Sequence, residues 1–146
     1  MNQRALVTNP TLSFEGSQIM LRAAEAKATE IGVPMCIAVV DAGGHLLAFS
    51  RMQGARTGNI KLAITKATSA AMRQRATADE FKLRPDDPSH AVRMALTAGP
   101  DLMTSMSGGI PVRIDDAVVG GIGVSNGHRG DDIAVGQAGI DALLGS

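Results

Sequence analysis

The sequence has no Trp or Tyr and only three Phe among its 146 residues. The apolar core must therefore be built from aliphatic side chains and from methionine, of which there are eight. Proteins that bind nucleic acid by stacking bases on aromatic rings are disfavoured, because such rings are nearly absent. Methionine can pack beside a flat ligand, although an ordinary place in the core is its commoner role.

The chain also has no net charge and no long hydrophobic run. Fourteen basic and fourteen acidic residues cancel, so no long-range field would attract nucleic acid or an anionic membrane surface. No apolar stretch approaches the length of a membrane-spanning helix, and residues 1–10 lack the hydrophobic segment of a secretion signal. We therefore expect a cytoplasmic protein with neither nucleic-acid nor membrane partners.

Cysteine and histidine are equally scarce. Cys36 is the single cysteine and lies in an apolar run, where we expect a small buried hydrophobe. The three histidines, His45, His90 and His128, are far apart and form no HxH or HxxxH pair, so no metal site is predicted. His128, which lies beside glycines, is the best of the three as a general base or as an axial ligand.

The length favours one domain over residues 1–146. Hydrophobic periodicity and turn residues divide this domain into helices and strands. The first helix should be capped by Ser13 or Thr11 and should end near Ile31, before Gly32. The other expected elements are helices from 59, over 89–98 and from 131, with a hairpin of strands over 35–40 and 45–51.

Residues 108–132, GGIPVRIDDAVVGGIGVSNGHRGDD, are the most distinctive stretch. We predict a β-hairpin that turns at Asp115 and Asp116 and whose second strand ends in a polar corner over 125–128. The chain has neither a GxGxxG that opens a helix nor a GxxxxGK[ST], which disfavours nucleotide binding through those loops. Glycine inside a strand indicates close approach by a ligand or by another backbone, including that of a second subunit.

Two sets of charges lie near this stretch. Lys66 and Arg73 share a face of the Ala-rich second helix, where a solvated surface is the commoner reading and an anion site is the alternative. Asp131 and Asp132 are expected to cap the last helix rather than to leave its first amides free for an anion. Arg51 ends a strand, where a side chain tends to face loops.

The blocks IAVVDAGGHLLAFSRMQGA, KATSAA and GGIPVRIDDAVVGGIGVSNGHRGDDIAVGQAG, in this order, resemble the GlcG/HbpS family over nearly the whole chain. The resemblance implies a single α+β domain, profilin-like in outline, with an antiparallel sheet of about five strands flanked by helices. It also implies assembly into dimers or larger homo-oligomers. Members of this family include haem-binding redox sensors and the C-terminal domain of a corrinoid adenosyltransferase, and others are encoded beside catabolic genes. Membership therefore predicts the fold better than the function.

The chain departs from the haem-binding members of the family in two respects. Its first helix carries no histidine and offers Gln18 and Met20 instead. Its second helix ends in the basic segment 72–75, MRQR, where the family usually has an apolar or aromatic residue. Arginine and lysine bind carboxylates through charge-assisted hydrogen bonds, so the change is compatible with a small carboxylate ligand.

Two functions from different classes follow. The first is a homo-oligomer that binds haem, another tetrapyrrole such as a corrinoid, or a different small metabolite between the Lys66 helix and a glycine-rich corner. The expected ligand-binding residues of this corner are Gly108, Gly109, Gly121, Ser125 and Asn126.

The second is a cofactor-free catabolic enzyme, a tautomerase, isomerase or hydrolase acting on a small oxo- or enol-carboxylate. Arg51 and Lys66 would hold the carboxylate, while Asp41 or His128 would move the proton. We expect Asp41, Arg51 and Lys66 to approach the glycine corner, either within one chain or across a subunit boundary.

Overall fold

A computed structural model describes residues 3–146, the side chain of Arg129 excepted. Over this range the chain folds into one α+β domain, an antiparallel sheet with helices on both faces. The helices are α1 (Phe14–Ile31), α2 (Asn59–Arg73), α3 (His90–Ala98) and α4 (Arg129–Leu144). The strands are β1 (Cys36–Asp41), β2 (Leu46–Arg51), β3 (Gly109–Ile114) and β4 (Ala117–Ser125), and short 3-10 helices cover Gln3–Ala5 and Thr77–Leu83.

The sheet of the described residues has four strands in the order β2-β1-β4-β3, one fewer than the expected five. Residues 3–13, the described part of the arm before α1, do not supply a further strand. They make a single backbone hydrogen bond to β4 of the kind a strand would repeat, from Leu12 N to Val119 O at 2.8 Å. The outer strands of the sheet are therefore β2 and β3.

The central strand β1 has an apolar layer on each side, which explains its unbroken apolar sequence. Alternate residues of a strand face opposite sides of the sheet. Ile37 and Val39 pack in the core with α1 and α4, whereas Cys36, Ala38 and Val40 pack against α2. Cys36 is buried, as expected.

The boundaries of α1 confirm the predicted capping. Ser13 Oγ accepts a hydrogen bond from Gly16 N at 3.0 Å, and Gly32 ends the helix in the left-handed conformation with φ 85°. The last helix, α4, begins at Arg129, two residues earlier than the predicted start at Asp131. None of the helices within residues 3–146 combines the length and apolar character needed to cross a membrane.

The β3–β4 hairpin also confirms its prediction. Asp115 and Asp116 form the turn with φ values of 49° and 66°. Positive φ at both central residues is the conformation that matches the twist of the flanking strands.

The glycines of β4 let α2 lie directly on the sheet. A Cβ atom at Gly123 would be 2.5 Å from Ala67 N and closer still to Ala63 O, and one at Gly121 would overlap Ala67 O. No side chain can be added at either position unless the helix moves away. These glycines therefore serve close packing inside the chain.

Candidate functional site

A buried ion pair joins α2 to α4 at the carboxyl end of β4. Lys66 is 3% exposed and Asp132 is 4% exposed. Lys66 Nζ donates to Val124 O at 2.8 Å and lies 3.3 Å from Asp132 Oδ2. The commoner reading of Lys66 as a solvated surface residue is therefore wrong, because α2 presents this face to the end of the sheet.

Burial makes the carboxyl group of Asp132 less acidic. Desolvation raises the pKa of its carboxyl group above the ordinary range, and this effect outweighs the opposing attraction of Lys66. The hydrogen bond that Asp132 Oδ1 accepts from Gly127 N, at 2.9 Å, also favours the ionised form without reversing the shift. The site thus holds a carboxyl group that takes up a proton more readily than an exposed aspartate does.

A cavity of about 420 Å³ opens beside this ion pair, and we call it the polar chamber. Its polar side chains come from α2 and the loop before it, from both ends of the β3–β4 hairpin, and from α4. They include Arg56, Asn59, Lys66, Ser107, Ser125 and Asp132.

Hydrogen bonds fix one wall of the polar chamber. Ser125 Oγ donates to Asn59 Oδ1 at 3.1 Å, and Asn59 Nδ2 donates to Asn126 Oδ1 at 2.8 Å. Asn126 Nδ2 in turn donates to Pro34 O, and this network holds Asn126 at the unusual φ of 119°. Strained backbone of this kind persists only where its surroundings enforce it.

Ser107 also lines the polar chamber, and its neighbour Gly108 lies against Lys66. Gly108 has φ 121°, and a Cβ atom there would lie 2.5 Å from Val124 O and 3.0 Å from Lys66 Nζ, so glycine makes room for the ammonium group. Ser107 Oγ is the only buried side-chain nitrogen or oxygen without a hydrogen-bond partner in the described part of the chain. A buried hydroxyl without a partner is costly, and a bound ligand could supply the missing bond.

A second cavity of about 380 Å³, the apolar chamber, lies between α2, α3 and the loop over 99–106. Leu62, Lys66 and Met106 line both chambers. Lys61 and Asp101 form an exposed ion pair among the lining residues of the apolar chamber, with 2.7 Å between Nζ and Oδ1.

The structure brings together several of the residues predicted for the site. Lys66, Ser125 and Asn126 line the polar chamber, and Gly108 touches Lys66. Gly109 and Gly121 instead lie against the backbone of α2, at Lys66 O and Ala67 O, and do not line the chamber.

Asp41 is not brought to this corner within one chain. It pairs with Gly120, five positions before Ser125 on β4, which separates Asp41 from the corner by about 17 Å along the strand. Its Oδ1 accepts hydrogen bonds from Gly43 N and His45 N, both at 2.9 Å, and so stabilises the hairpin turn.

Arg51 lies at the correct end of the sheet but on its outer strand. It pairs with Cys36, which pairs on its other side with Ser125. The side chain is exposed and donates a long hydrogen bond of 3.5 Å to Ala55 O. Asp41, Arg51 and Lys66 therefore do not converge in a single chain.

His128 precedes α4 as its N-cap residue, is exposed, and lies outside the lining of both chambers. Within residues 3–146 no group of three or more His, Cys, Asp or Glu side chains is placed to hold a metal ion.

Sequence reasoning missed Arg56, Asn59 and Ser107. The polar Asn59 at the start of an Ala-rich helix was the one available signal, since nothing in the sequence marks Ser107 as lacking a partner.

Fold and site together define a small α+β protein with a buried ion pair and two adjoining chambers at one end of its sheet. The chain belongs to the family described as Haem degrading protein HbpS-like, which it matches over residues 12–141. It is 33% identical to Protein GlcG of Escherichia coli strain K12 over 118 residues, which cover 81% of this chain and 84% of GlcG.

Two solved structures extend the comparison. A double mutant of HbpS from Streptomyces reticuli superposes with a TM-score of 0.84 and 29% identity, covering 98% of this chain and 94% of HbpS. A complex of PduOC with haem superposes with a TM-score of 0.80 and 28% identity, covering 90% of this chain and 94% of PduOC. This chain therefore shares its overall fold with HbpS and PduOC.

Proposed function

We propose that this chain is a small-molecule-binding protein of the GlcG/HbpS type and that its ligand occupies the polar chamber. The observation that carries the proposal is the placement of Lys66, a charged side chain only 3% exposed, in the lining of this cavity. A buried ion pair is costly to assemble and is weak evidence of a purely stabilising role. The unpartnered hydroxyl of Ser107 in the same cavity supports the proposal.

Haem is the first ligand to test, because PduOC, a structural neighbour, forms a haem complex. The chambers supply methionine sulfur from Met103 and Met106 as the only soft ligand atoms in their lining, and no histidine lines either chamber in the described residues. A histidine-ligated haem therefore does not fit the two chambers of one chain. Haem bound through His128 would have to lie outside them.

Titration of haem into the purified protein tests this ligand directly. A saturable Soret shift that His128→Ala abolishes would place haem at the N-terminal end of α4, whereas one that Met106→Ala abolishes would place it in the chambers that Met106 lines. Absence of any saturable shift in the wild-type protein would remove haem as the ligand.

We also propose that the protein is a cytoplasmic homo-oligomer. The edge strands β2 and β3 leave backbone hydrogen-bonding groups that a second subunit could satisfy or cover. Sedimentation equilibrium measures the assembly, and fractionation of the source cells measures the location. A monomer at all concentrations would contradict the first, and recovery outside the cytoplasm the second.

A cofactor-free enzyme acting on a small oxo- or enol-carboxylate is a second candidate. The raised pKa of Asp132 beside Lys66 favours it, because a proton-transferring carboxyl group works best when its pKa lies closer to neutrality. In this version Asp132 moves the proton, in place of Asp41 or His128, while Lys66 stabilises the enolate oxygen. Proton exchange of 2-oxobutanoate in D₂O, followed by NMR, should then be lost in Asp132→Asn and retained in His128→Ala. Equal exchange with and without the protein would exclude this activity for that substrate.

A further inference from the structure

The two chambers adjoin each other and have chemically distinct linings, and together we call them the cleft. Leu62, Lys66 and Met106 are common to both linings. Beyond them the polar chamber continues into the hydrogen-bonded corner of β4, whereas the apolar chamber continues over Ala95 and Met103. A ligand that extends past the shared residues would meet the charged corner at one end and, at the other, a mostly apolar lining that also includes the exposed Lys61–Asp101 ion pair.

The charges of the polar chamber favour an anion. Lys66 has three N–H donors, and the described contacts, to Val124 O and Asp132 Oδ2, occupy two of them. Asp132 offsets one positive charge, and Arg56 contributes a second cation to the lining. One donor of Lys66 and the guanidinium of Arg56 therefore remain available to an incoming negative group.

Ser107 adds a neutral donor at the same place. Its buried hydroxyl has no partner, and it lines the polar chamber together with Lys66. A hydroxyl donates well to an ionised oxygen, and hydrogen bonds of this kind are stronger than those between neutral groups. A carboxylate, with two acceptor oxygens, can take one bond from Ser107 and one from Lys66.

The loop that covers the cleft is held in place before any ligand arrives. Ser69 Oγ both donates to Thr104 O at 3.3 Å and accepts from Thr104 N at 3.1 Å. Thr77 Oγ1 donates to Met106 O at 2.6 Å. Binding therefore does not have to order this segment, and preorganisation of this kind favours affinity.

We propose that the cleft binds an amphipathic carboxylate, with the carboxylate between Lys66, Arg56 and Ser107 and an apolar body lying past Met106 in the apolar chamber. This inference rests on the proposed small-molecule binding and specifies its ligand class. The half-exposed thioether of Met106 provides an adaptable contact where the two parts of the ligand join.

Three probe compounds test the inference by isothermal titration calorimetry: 3-phenylpropanoate, acetate and 3-phenylpropanamide. The first has both parts of the proposed ligand, acetate lacks the apolar body, and the amide lacks the charge. We expect 3-phenylpropanoate to bind about tenfold or more tightly than either of the others. Equal binding of acetate, or equal binding of the amide, would overturn the inference.

Matched variants locate the two parts of the ligand. Ser107→Ala should weaken 3-phenylpropanoate binding by about five- to tenfold without loss of stability, because it removes a hydroxyl that has no partner in the free protein. Ser105→Ala is the control, since Ser105 lies outside both chambers. Ala95→Trp, which fills the apolar chamber, should reduce 3-phenylpropanoate to the affinity of acetate, whereas Ala98→Trp on the exposed side of α3 should not.

Far-UV circular dichroism confirms that each variant is folded, and Met106→Ser provides a second apolar-chamber variant at a half-exposed position if Ala95→Trp does not fold. Unchanged binding of 3-phenylpropanoate in folded Ser107→Ala and in either apolar-chamber variant would overturn the inference. The haem titration separates this failure from that of the proposed function. Haem binding without 3-phenylpropanoate binding refutes only the ligand class, whereas absence of both refutes small-molecule binding in this form as well.

Discussion

Replacement of Gly123 by alanine tests whether β4 lies directly on the backbone of α2. The added Cβ atom would be 2.5 Å from Ala67 N, whereas ordinary contact begins at 3.4 Å, so the helix must retreat by about 0.9 Å or more. The atoms it meets belong to helix backbone rather than to a flexible side chain, and they cannot rotate away. Overpacking of this kind costs about 1–3 kcal/mol and occasionally more.

We expect Gly123→Ala to lose about 3 kcal/mol of unfolding free energy, at the upper end of that range, because two helix residues, Ala63 and Ala67, obstruct the new methyl group. For a domain of this size such a loss lowers Tm by about 6–12 °C. Urea unfolding followed by circular dichroism measures the free energy, and an unchanged m-value would show that the folded state is still compact.

Gly130→Ala is the matched control, because a Cβ atom at Gly130 in α4 has no neighbour within 4 Å. Alanine has the higher helix propensity, so this variant should be unchanged or more stable by up to about 1 kcal/mol. If the unfolding free energy of Gly123→Ala lies within about 0.5 kcal/mol of the wild-type value, measured alongside this control, then α2 does not pack directly on the backbone of β4.

Three further predictions concern buried charges. Lys66→Met should cost about 3–5 kcal/mol near neutral pH, because it leaves the carboxylate of Asp132 buried without its partner; urea unfolding measures the loss, and a neutral effect would contradict it. The stability difference between wild type and Asp132→Asn should fall as pH rises from about 4, because the pKa of Asp132 is raised in the folded state and ionisation then favours unfolding. Unfolding curves at several pH values check the sign, and a difference that grows with pH would refute it. Glu80→Gln should cost about 1–3 kcal/mol in thermal unfolding, because the 2% exposed carboxylate accepts two hydrogen bonds from Arg73; an unchanged Tm would show that this pair does not hold Thr77–Leu83 to α2.

Local features of the fold were predictable because the signals that specify them are local. Ser13 caps α1 through an amide three residues away, and the Asp115–Asp116 turn lies between two strands that pair directly. The number of strands was overestimated, because the family resemblance suggested about five and the arm around Leu12 contributes only one bond to the sheet.

The site was predicted less well because its contacts join distant parts of the chain. Lys66 and Asp132 are 66 positions apart, and only the packing of α2 on β4 shows that they meet. The sequence could have predicted that Asp41 and Arg51 lie far apart. In an antiparallel hairpin the end of the first strand lies opposite the start of the second, so the residues that end the two strands lie at opposite ends of the hairpin. That Ser107 lacks a hydrogen-bond partner could not be inferred, because the absence of a hydrogen bond leaves no pattern in a sequence.

The direct contact between the backbone of β4 and α2 also limits how this protein can evolve. Helices in related proteins shift when core side chains of different volume replace one another, and functional groups move with them. At Gly121 and Gly123 there is no side-chain volume between helix and sheet to vary. Substitutions elsewhere in the core therefore do not shift Lys66 relative to Val124. The lining of the cleft can change at Ser107, Ala95 and Met106 while Lys66 keeps its position.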